Sequence, residues 1–198
     1  MTADETLDQW NQQLETVRAT MLRGGGKPGV ATPALIANKT GLEFMQAWLA
    51  GELPYPHICD TVDFALVEVA VGKVVLQGTP QLKHFNPLGT VHGGWYATLL
   101  DSALGCAVHT TMPVGRAYTT AELGVNIVRA ANLKTGPLRA IGTVIHAGRQ
   151  LATAEARIVA PDWRGHGGTD WNPQGYYYQD YLADLDVIRE RGFSIDDG

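Results

Sequence analysis

Leu7, Trp10, Leu14, Val17 and Met21 recur at spacings of three and four, which predicts an amphipathic helix near the start of the chain. The run Gly24-Gly25-Gly26-Lys27-Pro28-Gly29 follows. No strand precedes it and no Gly-Lys-Ser/Thr follows, so it reads as a flexible linker and not as a phosphate cradle. Thr40-Gly41-Leu42-Glu43 has the spacing of a capping box and predicts a second helix through Leu49, closed by Gly51 and Pro54. From Asp63 the period changes, and Phe64 to Val69 with Lys73 to Gln77 predict a hairpin turning at Gly72. A loop holding Asn86-Pro87-Leu88-Gly89 leads to a long helix from about Val91 to Thr110. Tyr118 to Val128 reads as a strand, ended by a turn around Asn132 to Gly136. Leu138 to His146 and Gln150 to Val159 form a second hairpin, turned by Ala147-Gly148. The predicted class is α+β, an antiparallel sheet wrapped around one long helix.

That helix carries the chemistry. Trp95, Tyr96, Ala97, Leu99, Leu100, Ala103, Leu104, Cys106, Ala107 and Val108 cover nearly its whole circumference, and a helix apolar all round is a buried one. Into this run the sequence places Asp101, a poor helix former that is costly to bury without a partner. Two readings stand: a carboxylate hydrogen-bonded to a nearby threonine or backbone group, or a catalytic carboxylate made more basic by burial. The helix opens on Thr90-Val91-His92-Gly93-Gly94, whose N–H groups lie at the positive end of the helix dipole. Gly93 and Gly94 lack a Cβ, so a substrate carbonyl can approach the backbone, as oxyanion stabilisation requires; the plainer alternative is a glycine-eased turn. Gly93 and Asp101 are eight positions apart. At about 1.5 Å per residue that is roughly 12 Å, whereas a base must lie about 3 Å from the water it activates. The site therefore uses one end of the helix only, or Asp101 comes from a second copy of the chain. A two-fold dimer with two composite sites is the favoured expectation.

Composition narrows the classes. An apolar share of 45% with 18% charged residues over 198 positions excludes a disordered chain. A net charge of -5, with lysines and arginines scattered singly, argues against nucleic acid as a partner. Cys59 and Cys106 are too few for a disulfide framework or a four-ligand zinc site, and His57-x-Cys59 reads as a plain loop, so no metal is expected. The longest apolar stretch is broken by Thr98, Asp101 and Ser102. With no signal peptide visible in the polar, acidic start, the expectation is a cytoplasmic protein without a membrane span.

Several segments together resemble one family. They are Gly41-Leu42-Glu43-Phe44 through Gly51-Glu52-Leu53-Pro54, Leu66-Val67-Glu68-Val69, and above all Asn86-Pro87-Leu88-Gly89-Thr90-Val91-His92-Gly93-Gly94 with Asp101. Thr120-Ala121-Glu122-Leu123 and Arg149-Gln150-Leu151-Ala152-Thr153-Ala154-Glu155-Ala156 continue the match. The family is the hotdog-fold acyl-CoA thioesterases of the phenylacetic-acid-degradation type. The resemblance implies a curved sheet around a central helix, a homodimer or dimer of dimers, and hydrolysis of acyl-CoA at the dimer interface. It implies no separate cofactor, CoA entering as part of the substrate. Carried over, the Gly93 amide polarises the thioester carbonyl and His92 shapes the turn. Asp101 of the second copy is base or nucleophile, Asn86 positions water or carbonyl, and Thr120 lies near the carboxylate. Two rivals are a hotdog dehydratase or hydratase and a non-catalytic acyl-CoA-binding hotdog. Trp95, Tyr96 and Phe85 hint at aryl or medium-chain acyl groups, or are core residues.

The expected organisation is a helix and linker over 1–30, a hotdog domain over 31–161 and an atypical tail over 162–198. After Ala160-Pro161 the family pattern calls for one more strand, but the sequence reads Asp162-Trp163-Arg164-Gly165-His166-Gly167-Gly168-Thr169-Asp170-Trp171. With Gly175 to Tyr178 and Tyr181 to Asp186 this stretch is similar to α/β-hydrolases. Tyr178, Tyr181, Leu182, Leu185 and Ile188 predict a terminal amphipathic helix. Serine-hydrolase chemistry is not expected, because neither Ser102 nor Ser194 sits in a Gly-x-Ser-x-Gly elbow.

Overall fold

The computed structural model describes residues 3–160. The readings of 162–198, namely the replaced final strand, the hydrolase-like stretch and the terminal helix, lie outside the described residues.

Helix α1 (Ala3–Arg23) forms where the apolar spacing predicts it, and Leu7, Trp10, Leu14 and Val17 are half-buried while Met21 is buried. The glycine run does not hang free as a linker. Gly24, Gly25 and Gly26 donate to Thr20, Leu22 and Met21 carbonyls, and a Cβ on Gly24 would lie 2.4 Å from the Ala50 carbonyl oxygen. The run is a turn pressed against the backbone of Ala50 and Gly51, and glycine allows the approach. A short helix α2 (Pro33–Ile36) follows, then α3 (Gly41–Leu49). The capping box of α3 is present: the Thr40 hydroxyl accepts from Glu43 N–H, and the Glu43 carboxylate accepts from Thr40 N–H at 2.8 Å. His57 and Cys59, expected in a loop, stand instead on helix α4 (His57–Val62), which ends at Asp63 in the left-handed conformation (φ 52°).

Four strands form one antiparallel sheet in the order β1-β2-β3-β4: β1 (Phe64–Ala70), β2 (Lys73–Gly78), β3 (Leu138–Ala147) and β4 (Ala152–Val159). Gly72 turns the first hairpin at φ 70°, a conformation that costs glycine little. Helix α5 (Gly93–His109) packs on the inner face against Leu66, Val74, Leu76, Leu138 and Ala140, all buried. Each of the buried leucine and valine side chains contributes about 1.5–3 kcal/mol. Register bulges between Leu66 and Glu68 and between Val144 and His146 help curve the sheet. The outer face presents Arg139, which is buried. It donates to Gln77 and to Gln13 of α1, both at 2.8 Å, and stacks over the Trp10 ring at 4.3 Å. A polar network thus holds α1 to the sheet.

The expected strand from Tyr118 to Val128 pairs with no strand among the described residues. Its alternating residues are there, but no described neighbour takes its backbone hydrogen bonds, and it lies by its side chains along α5. No helix among the described residues is long and apolar enough to cross a membrane.

Helix and sheet meet backbone to backbone at Gly142. A Cβ there would lie 2.3 Å from the Ala103 carbonyl oxygen, which cannot swing away like a side chain. Gly142→Ala is expected to destabilise by about 1–3 kcal/mol through overpacking. Urea denaturation checks this as a lower midpoint at constant slope; an unmoved midpoint means that the layers separate without cost.

Candidate active site

The loop before α5 is built around Asn86. Its side-chain oxygen accepts from Leu88 N–H (2.9 Å) and Thr90 N–H (3.2 Å), and its amide nitrogen donates to Thr90 Oγ1 (2.8 Å). Gly89, at φ 82°, closes the turn by donating to the Asn86 carbonyl. The Asn86 side chain is therefore mostly occupied by its own loop, and one amide hydrogen remains for a ligand.

Behind the loop a buttress appears that sequence spacing does not signal. The buried His84 ring accepts from Gln81 N–H at Nδ1 (3.0 Å), which places its proton on Nε2, 3.6 Å from the Asp63 carboxylate. Burial pulls the His84 pKa below the ordinary histidine value, while Asp63 pulls the other way. Lys83 also pairs with Asp63. The His84 carbonyl then accepts from His92 N–H at 2.8 Å, which sets where α5 begins.

His92 lies just outside the helix, not in its first turn. It is the N-cap, extended at ψ 137°, and its Nδ1 accepts from Gly94 N–H at 2.9 Å. Trp95 N–H goes to the His92 carbonyl. Of the first three helical amides two are thus satisfied, and no described residue accepts from Gly93 N–H. That one donor sits where the helix dipole is positive. A Cβ on Gly93 would meet Ile127 Cδ1 at 3.2 Å, so Ile127 flanks the amide. Trp95 and Tyr96 are core residues: the Trp95 indole donates to the Val62 carbonyl, and the Tyr96 hydroxyl accepts from Ala131 N–H at 2.8 Å.

Asp101 is half-buried, less enclosed than the composition of α5 suggests. The covered faces hold Trp95, Leu99, Ala103 and Cys106, while Ala97, Thr98, Asp101 and Ser102 form a partly open stripe. Along this stripe runs the 118–131 segment, and Thr120 Oγ1 donates to Asp101 Oδ1 at 2.8 Å. The structure thus brings together Thr120 with Asp101, and Asn86 with His92 and Gly93. It does not join the two groups within one chain, since α5 is continuous between them and separates them by roughly 12 Å. Cys106, one turn beyond Asp101, is no nucleophile: burial, then the Asp101 charge, pushes its thiol up to about 12. Cys59 is likewise pushed up to about 12 by burial, and among the described residues no three metal-binding side chains cluster.

A family model described as the thioesterase superfamily matches residues 88–164, a span that holds His92, Gly93, Asp101 and Thr120 and begins two positions after Asn86. A conserved protein of Pseudomonas aeruginosa has a solved structure that superposes with a TM-score of 0.50 at 26% identity, over 53% of this chain and 82% of that one. The solved structure of a candidate thioesterase related to phenylacetic acid degradation, from Ralstonia eutropha JMP134, superposes with a TM-score of 0.54 at 24% identity, over 59% of this chain and 88% of that one. The fold is the hotdog fold. The hotdog sheet and its central helix are those described above. A curated relative, a candidate esterase of Halobacterium salinarum, is 39% identical over 75 residues, or 37% of this chain. The match spans about half (48%) of that relative's length.

Proposed function

We propose that this hotdog chain hydrolyses acyl-CoA thioesters to a free acid and CoA at a site shared by two copies. The observation that carries the reading is the Gly93 amide at the start of α5, which donates to no described residue, while His92 takes up the neighbouring Gly94 N–H. A donor fixed in that place stabilises the oxygen that gains charge when a thioester carbonyl is attacked. The remaining Asn86 amide hydrogen is available as a second donor. Asp101 of the second copy takes a proton from water as the oxygen adds to the carbonyl. The tetrahedral intermediate collapses, the C–S bond breaks, and the proton passes to the CoA thiolate. In the alternative route the carboxylate itself attacks and water later cleaves the mixed anhydride. Thr120 holds the carboxylate in either case. The thioesterase-superfamily match over 88–164, which holds Gly93, Asp101 and Thr120, supports a thioester hydrolase.

The test is release of free thiol from acetyl-, hexanoyl- and phenylacetyl-CoA, with binding of each ester followed by calorimetry. Turnover of at least one ester is the expected result. Binding without turnover replaces the hydrolase by an acyl-CoA-binding protein, and hydration of an enoyl-CoA without thiol release replaces it by a hydratase.

A further inference from the structure

Tyr118 takes no part in the chemistry above, yet its placement is unusually specific. A Cβ built on Gly105 would lie 2.6 Å from Tyr118 Cε2, 2.6 Å from its hydroxyl oxygen and 2.9 Å from Cζ. The ring therefore lies directly on the bare backbone of α5, in a notch that only glycine leaves open. The ring also neighbours His109, with centroids 5.6 Å apart, and His109 in turn stands nearly perpendicular to Phe44 of α3 at 5.1 Å. Gly105 stands four residues after Asp101, one turn along the same helix face. Thr120, which donates to Asp101, stands two residues after Tyr118.

The two spacings match. Two residues of extended chain advance about 6.6 Å and four residues of helix about 6 Å, so the pair Tyr118 and Thr120 can meet the pair Gly105 and Asp101 together. The match also excludes the neighbouring alignments. A shift of two residues would bring Glu122 against Asp101, carboxylate to carboxylate, and a shift of one would bring Thr119 or Ala121, which face the other way in extended chain.

We infer that Tyr118, seated on Gly105, is a positioning residue that fixes the register of the 118–122 segment and so places the Thr120 hydroxyl on Asp101. The inference rests on the proposed hydrolase for its catalytic consequence, but its structural half is measurable without turnover. Tyr118→Ala and Gly105→Ala each empty or block the seat. Both are expected to speed cleavage after Glu122 by a glutamate-specific protease and to lower kcat roughly tenfold with KM within about twofold, as small misplacements of a reacting group do. The substrate is whichever of the three esters turns over fastest. Tyr118→Phe keeps the ring and restores kcat. The double variant Gly105→Ala/Tyr118→Ala is no worse than Tyr118→Ala alone, because the three atoms nearest the added methyl all belong to the ring that has been removed. Thermal melts identify any variant that fails to fold, and Tyr118→Ala, which introduces no clash, keeps the question answerable if Gly105→Ala does. Wild-type cleavage after Glu122 and wild-type kcat in folded Tyr118→Ala overturn the inference. Asp101→Asn at full rate, with cleavage still responding to Tyr118→Ala, overturns the hydrolase reading and leaves the seat standing.

Discussion

Asp101→Asn lowers thioester hydrolysis by about a thousandfold, in the range found when a positioned base is removed. Asparagine has the same shape and keeps an oxygen that accepts from Thr120 Oγ1, so the 2.8 Å contact and the packing of α5 survive. What it cannot do is accept a proton from water or attack a carbonyl. The loss should therefore fall on kcat, with KM and melting temperature close to wild type. The residual rate reflects the Gly93 amide, which the substitution does not touch. Turnover of Asp101→Asn at the wild-type rate removes the carboxylate from the reaction. A single turnover of wild type in ¹⁸O-water separates the two routes, since label enters the Asp101 side chain only if the carboxylate attacks and the anhydride is then cleaved at the aspartyl carbonyl.

What could be read from the sequence, and what could not, follows from how local each signal is. The capping box at Thr40 and Glu43, the tight hairpin at Gly72 and the apolar face of α1 are short-range patterns, and each element lies within a few residues of its expected bounds. Helix α4 was not legible, because six residues opened by Pro56 carry no apolar period. The stretch from Tyr118 to Val128 has the composition of a strand, but strand formation needs a partner, and sequence alternation cannot say whether one is present. At the site, the helix opening at Gly93 and the isolated Asp101 were visible as anomalies within an apolar run. Their partners were not: Thr120 came from family resemblance, and the packing of His84 behind His92 and of Tyr118 on Gly105 joins residues whose spacing follows no period. The enclosure of Asp101 was overestimated for a related reason. A helix apolar all round does not disclose which stripe its own chain leaves open, and here that stripe is the one bearing the carboxylate.

The open stripe and the separated donor make one further result the most informative. Gly93→Pro is expected to lower kcat by about a hundredfold or more, because proline deletes the backbone amide that the mechanism uses. It does so without breaking the helix: Gly93 is the first helical residue, where proline is well tolerated, and His92 before it is already extended at ψ 137°. The Cβ of the new ring meets only the movable end of Ile127. Gly93→Pro and Asp101→Asn should each be nearly inactive alone. Mixed by reversible unfolding or coexpression in equal amounts, they should regain about a quarter of wild-type activity. Half of the dimers are then mixed, and each mixed dimer pairs one intact Gly93 amide with one intact Asp101 at one of its two sites. A site built within a single chain allows no such recovery, since every chain carries one lesion. Lack of recovery, when mixed dimers are shown by mass to have formed, therefore rules out the shared site even if both single variants behave as expected. Recovery fixes Asp101 and Gly93 on different chains, as two groups separated by roughly 12 Å of unbroken helix must be if both act on one carbonyl.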